Sequence, residues 1–108
     1  MVVRFELLRS ALHQLSLEPN DQRQELAGTV VTDELALDLS NAVASLSHTS
    51  EVAGVELAPE LVEALERLNQ SLGAPPGDPL WDDAALDRHP VWAEARLVAR
   101  SLLPNVPS

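Results

Sequence analysis

Leucine recurs along this chain at the three- and four-residue steps of an α-helix, and little else in the sequence can build a core. Leu61, Leu65, Leu68 and Leu72 form one narrow seam, and Phe5, Leu8, Leu12 and Leu15, with Ala11 at the edge, form another. A third stripe runs through Leu35, Leu39, Ala42, Val43 and Leu46. A fourth runs through Val91, Ala95, Val98 and Leu102, widened by Trp92, Ala99 and Leu103. Leucines number twenty in 108 residues, whereas Phe5, Trp81 and Trp92 are the only aromatics. Leu and Ala are strong helix formers, while sheets draw on β-branched and aromatic side chains. Residues 29–31 are β-prone but too short to imply a sheet and have no partner strand. The expected fold is therefore all-α: a compact bundle of four main helices plus one or two short helices.

Proline and glycine punctuate these stripes. The first helix is expected over residues 3–16, and Pro19 opens a short second helix to about Ala27, with Gly28 suited to its cap. Thr32 has the marks of an N-cap, with Asp33 and Glu34 in the first turn of a helix reaching residue 47. Leu37 points away from that helix's stripe, beside Asn41 and Ala44, so it either packs under a loop or faces a partner. Residues 47–57 stay open between helix and loop: Ser47, His48, Thr49 and Ser50 read as loop, and Gly54 interrupts any helix. Pro59 starts the Leu61–Leu72 helix and Gly73 ends it. A turn follows over residues 73–79. Asp78 then caps a short helix running to Leu86, and Pro90 starts the last helix, which ends near Leu103. Residues 1–103 are expected to form a single domain, with 104–108 a loose tail.

Seventeen acids face seven arginines and no lysine, a formal charge of −10. The choice of Arg over Lys reads as the coding background of a GC-rich bacterial genome. Such a charge repels nucleic-acid phosphates and anionic lipids and attracts basic proteins and cations. From Asp33 to Glu66 there are eight acids and no base: Asp33, Glu34, Asp38, Glu51, Glu56, Glu60, Glu63 and Glu66. A second cluster, Asp78, Asp82, Asp83 and Asp87, surrounds Trp81. These runs read either as a solvated face or as a surface that docks a basic protein, with cation binding a third reading. The alternating ligands and central Gly of a calcium loop are missing. On the docking reading the candidate residues are Asp33, Glu34, Asp38, Glu56, Glu60, Glu63, Trp81, Asp82 and Asp83. Trp92 is expected in the core. Trp81 is either core or an anchor for a partner.

The residues that catalysis needs do not come together in the sequence. With no Cys, thiol chemistry and thiolate metal sites are excluded. His13, His48 and His89 are isolated, and no pair stands at i, i+4. Asp82 and Asp83 diverge by about 100° on a helix, and no apolar setting separates the pKa values of Glu56, Glu60 and Glu63. The serines lack a nucleophile elbow and the four glycines form no phosphate loop. Arg96 and Arg100 are expected on the outer side of the last helix, paired with acids. No catalytic residue, metal or cofactor is expected, nor is a nucleic-acid or membrane partner. Arg4, Glu6, Arg9 and His13 break the N-terminal apolar pattern, so neither a signal peptide nor a membrane helix is expected there, and the expected location is cytoplasmic.

The motif Thr-Asp-Glu-Leu-Ala-Leu-Asp-Leu at 32–39, with the segment from Leu80-Trp81 through Pro90-Val91-Trp92 to Ala99, resembles the short acidic helical immunity proteins that accompany bacterial toxins. The resemblance implies an inhibitor that covers the active site of a basic toxin, often a nuclease, with carboxylates in place of phosphates. The competing expectation is a helical adaptor or regulatory subunit that docks through Leu37 and apolar helix edges.

Overall fold

The computed structural model describes residues 5–54 and 56–107, leaving aside the side chains at 47, 50, 52 and 53. Four long helices dominate: α1 (Glu6–Ser16), α3 (Val31–Ala44), α5 (Pro59–Ser71) and α7 (Pro90–Leu102). Three shorter ones lie between them, α2 (Pro19–Glu25), α4 (Leu46–Ala53) and α6 (Ala85–Arg88). Two 3₁₀ turns, Pro79–Trp81 and Leu103–Asn105, complete the chain, and no strand occurs among the described residues. Prolines stand at the start of α2, α5 and α7, where the missing N–H would be unpaired in any case and the fixed φ suits a helix. Gly28 and Gly54 take positive φ angles of 91° and 68°, which let the chain turn after α2 and α4.

α1 packs chiefly on α7 and α3, and α5 in turn packs on α3 and α7, so the four long helices surround one core. The four stripes read from the sequence meet there. Leu8, Leu12 and Leu15 of α1, Leu35 and Leu39 of α3, Leu61, Leu65 and Leu68 of α5, and Trp92, Ala95 and Ala99 of α7 are all buried. On α7 the deepest residues are Trp92 and the two alanines, while Val91, Val98 and Leu102 sit at the margins. The small side chains let that helix approach its neighbours closely, and the Trp92 indole fills the space at one end of the core.

The C-terminal end of α1 is held by side chains from two other segments. A helix leaves its last carbonyls without intrahelical donors. Here the buried Gln22 amide of α2 donates to Gln14 O at 3.1 Å and Leu15 O at 3.2 Å. Arg100 Nε donates to Ser16 O and Arg96 Nε to Leu17 O, each at 2.8 Å. Arg96 also reaches Leu86 O at 3.2 Å. The positive guanidinium groups stand at the negative end of the α1 dipole. Arg96 is therefore not on the outer side of α7. It is partly buried and bonded to carbonyls, because the end of α1 lies within its reach; Arg100 does pair with an acid, Glu18, at 2.8 Å.

Three further expectations change, and most of the segment left open between helix and loop proves helical. Thr32 is not an N-cap: α3 begins one residue earlier, and the 1%-exposed Thr32 hydroxyl donates instead to Trp81 O at 2.8 Å. The 78–86 segment is not one helix. Trp81 O, which a continuing helix would give to residue 85, accepts Thr32, while Ala85 N bonds Asp82 O. Asp78 is a true N-cap, its carboxylate accepting from Leu80 N at 2.9 Å. Residues 46–53 are helical, separated from α3 at Ser45, whose hydroxyl turns back onto Asn41 O and Ala42 O. Residues 104–107 are not a loose tail: Val106 is 3% exposed and its carbonyl accepts from Arg9 Nη1 at 3.0 Å. Residues 3 and 4 of the expected first helix, and 108 of the tail, lie outside the described residues.

Replacing Arg96 by Met keeps the stem and removes both carbonyl contacts. Urea unfolding should show a loss of about 1.5–3 kcal/mol, whereas the exposed neighbour change Leu97→Met should stay within about 0.5 kcal/mol. An Arg96→Met protein as stable as its parent would show that water serves those carbonyls equally well.

Candidate functional site

Helix α3 turns Leu35, Leu39 and Ala42 inward, which places Asp33, Leu37 and Ser40 on the opposite side, since successive residues advance by about 100°. With Ala36 they form one wall of an open groove of about 650 Å³. Asn69, Gln70, Leu72 and Gly73, at the end of α5, form the other wall, and Trp81 lines it as well. Leu37 is 54% exposed, so of the two readings of that residue the structure has the exposed one. The side chains of Ser40, Asn69 and Gln70 make no hydrogen bond among the described residues, which leaves their donors and acceptors open to a ligand.

Trp81 is partly buried and tightly positioned. Its indole N–H faces Ala74 O at 3.2 Å and Pro75 O at 3.0 Å, its carbonyl accepts the Thr32 hydroxyl, and its ring meets Trp92 edge-on at 6.4 Å. Trp92 in turn donates to Leu80 O at 2.8 Å and belongs to the core. With its polar atoms already bonded, Trp81 offers the groove an immobile apolar surface.

The nine candidate residues do not form a single patch. Asp33 and Trp81 share the groove. Glu34 and Asp38 occupy one flank of α3, well over 60° around the helix from the groove-lining Ser40. Glu56 and Glu60 border a separate depression of about 420 Å³, floored by Leu57, Leu61 and Leu102, near the start of α5. Glu63 pairs with Arg67 along α5. Asp82 lines a shallow cleft with Arg88 and His89, and Asp83 is paired with Arg23 at 3.1 Å. Sequence reasoning missed Ala36, Ser40, Asn69, Gln70, Leu72 and Gly73 as one unit. The available signal was Leu37, a large apolar residue on the wrong side of its helix.

The arginines are largely committed within the fold. Arg9, Arg23, Arg96 and Arg100 bond backbone carbonyls, and Arg23, Arg67 and Arg100 pair with acids. Four of the seventeen carboxylates, Glu18, Glu63, Asp83 and Asp87, take part in those pairs. The other thirteen form no ion pair among the described residues. The hydrogen bond from Arg23 holds the Asp87 carboxyl below its ordinary value, and Arg100 does the same for Glu18. Arg23, gripped by Asp87 and Asp83, is pushed upward. No group of three or more potential metal-ligating side chains comes together among the described residues. His89 is occupied as an N-cap, its Nδ1 accepting from Val91 N at 3.1 Å. No helix among those described is long and apolar enough to cross a membrane.

In comparisons with known proteins, no family model, curated protein or solved structure matches the chain.

The Arg23–Asp87 pair makes stability depend on acid in a defined direction. A carboxyl whose folded-state pKa is lowered binds fewer protons folded than unfolded. Its contribution is complete above the unfolded value of about 3.8 and disappears as pH falls through the lower folded value. The thermal midpoint should therefore drop on acidification through that window. In Asp87→Asn it should start lower at neutral pH and fall less steeply. Parallel pH profiles for the two proteins would show that the pair does not contribute.

Proposed function

We propose that this chain is a non-catalytic binding module that docks a positively charged protein through its acidic surface. One observation carries the reading. The arginines are drawn onto backbone carbonyls and a few carboxylates, so that thirteen carboxylates are left without an ionic partner among the described residues. A surface charged so strongly in one sense speeds encounter with a basic partner and disfavours nucleic acid and anionic membranes. Within this class, the role implied by the immunity-protein resemblance is inhibition of a basic toxin such as a nuclease, carboxylates covering a site shaped for phosphates.

Leu37, 54% exposed in a groove, favours a second reading: an adaptor whose contact with its partner is mainly apolar. Salt separates the two, because exposed charge pairs are screened within about 10 Å at 0.1 M ionic strength and apolar contacts are not. The test is affinity isolation from the cells that naturally make the protein, followed by titration of the purified pair at low salt and at about 0.5 M. The expected result is a stoichiometric complex with a basic protein whose affinity falls at least about tenfold at the higher salt, and loss of that protein's activity in the complex if the role is inhibitory. A stoichiometric partner that is not basic, or affinity indifferent to salt, would overturn the electrostatic reading in favour of the adaptor.

A further inference from the structure

We infer that the groove between α3 and the end of α5 seats a basic amphipathic segment of the partner: an apolar side chain lodged against Leu37 and Trp81, with an adjacent Arg or Lys paired to Asp33. The inference rests on the docking reading above and adds to it a place and a chemistry. Leu37 and the Trp81 ring supply apolar surface in a molecule in which seventeen acids face seven arginines; Leu7, Val30 and Leu97 are exposed as well, but none of them lines this groove. Of the residues lining the groove, Asp33 alone is charged, and it has no ionic partner among the described residues. Glu66 stands one turn before Asn69 and Gln70 on the same face of α5, so carboxylates flank the groove on both helices. An apolar anchor entering here meets negative charge at its rim, which favours a basic neighbour and disfavours an acidic one.

Two further features fit a peptide segment. The side chains of Ser40, Asn69 and Gln70 have donors and acceptors to offer to main-chain groups or polar side chains of the occupant. Trp81 is held by Thr32, Ala74, Pro75 and Trp92, so the site exists before binding and little ordering opposes it.

The test uses the intact protein, labelled with ¹⁵N, and two synthetic amphipathic peptides of about twelve residues. One carries Leu and Arg at helical spacing, and the other has Glu in place of Arg. Adding the Arg peptide at low salt should shift the Leu37, Ser40 and Gln70 amides and the Trp81 indole N–H, saturably, and the Glu peptide should not. Leu37→Ser should weaken binding by about tenfold and Asp33→Asn by about threefold, while Leu97→Ser, an exposed apolar change on α7, should leave it unchanged. Shifts that map instead to Glu56 and Glu60 or to Asp82, with Leu37→Ser neutral, would overturn the groove assignment while leaving acidic docking intact. Equal binding of the Glu peptide would overturn the charge pairing. Binding of neither the Arg peptide nor a folded basic protein would bring down the docking reading itself.

Discussion

The polar closure of α1 is the interaction on which the rest of the molecule depends. A helix packed on two sides ends with carbonyls that water cannot all reach, and leaving such groups unbonded costs about 1–3 kcal/mol each. Gln22 from α2 and Arg96 and Arg100 from α7 supply the donors. That arrangement fixes three things together. It folds α2 back against the helix before it, sets the register of α7 along α1, and brings Leu86 of the α6 corner to the same guanidinium. Few bulky aromatic side chains are available to key the helices into one arrangement, and smooth leucine seams alone tolerate sliding. Directional hydrogen bonds at one end of the bundle give the register that the seams leave loose.

The same arrangement governs the outside. Only seven arginines balance seventeen acids, and four of the seven, Arg9, Arg23, Arg96 and Arg100, donate to main-chain carbonyls. A guanidinium bonded to a carbonyl still carries its charge, but it is anchored at a helix end and cannot range over the surface to meet a carboxylate elsewhere. Two of the four do both: Arg100 reaches Ser16 O and Glu18, because Glu18 closely follows the helix end that it closes, and Arg23 reaches Asp83 O together with the Asp83 and Asp87 carboxylates. The uneven exterior is thus tied to how the interior is held together.

What the sequence revealed and what it hid divide along a physical line. Local chemistry was readable: the four stripes, the prolines at helix starts, the Asp78 cap and the burial of Trp92 each depend on residues close in sequence. Thr32 has the identity and position of an N-cap, yet its hydroxyl goes to a carbonyl 49 residues away. Arg96 belongs to a helix face that looks solvated until α1 is packed beside it, and Val106 belongs to a tail that looks free until Arg9 reaches it. The groove follows the same rule. Leu37 and Asp33 were visible as features of α3, but Asn69 and Gln70 join them only through the packing of α3 on α5, which no local pattern encodes.

The Trp81 corner links the packing of the core to the wall of the groove. The Thr32 hydroxyl could have capped its own helix, and its use on Trp81 O leaves α3 to begin at Val31 without a side-chain cap. A missing cap costs a helix about 1 kcal/mol. In exchange, the aromatic ring at the groove is tied to the first turn of the very helix that carries Asp33 and Leu37. Under the docking proposal, charge and apolar contact would divide the work of recognition. Carboxylates spread over several elements act at a distance and with little regard to geometry, so they raise the rate of encounter with any basic surface. A single groove with one hydrogen-bonded ring and one unpaired carboxylate would act only at contact, and for the proposed segment the shape of its apolar side chain and the charge beside it would decide what stays bound.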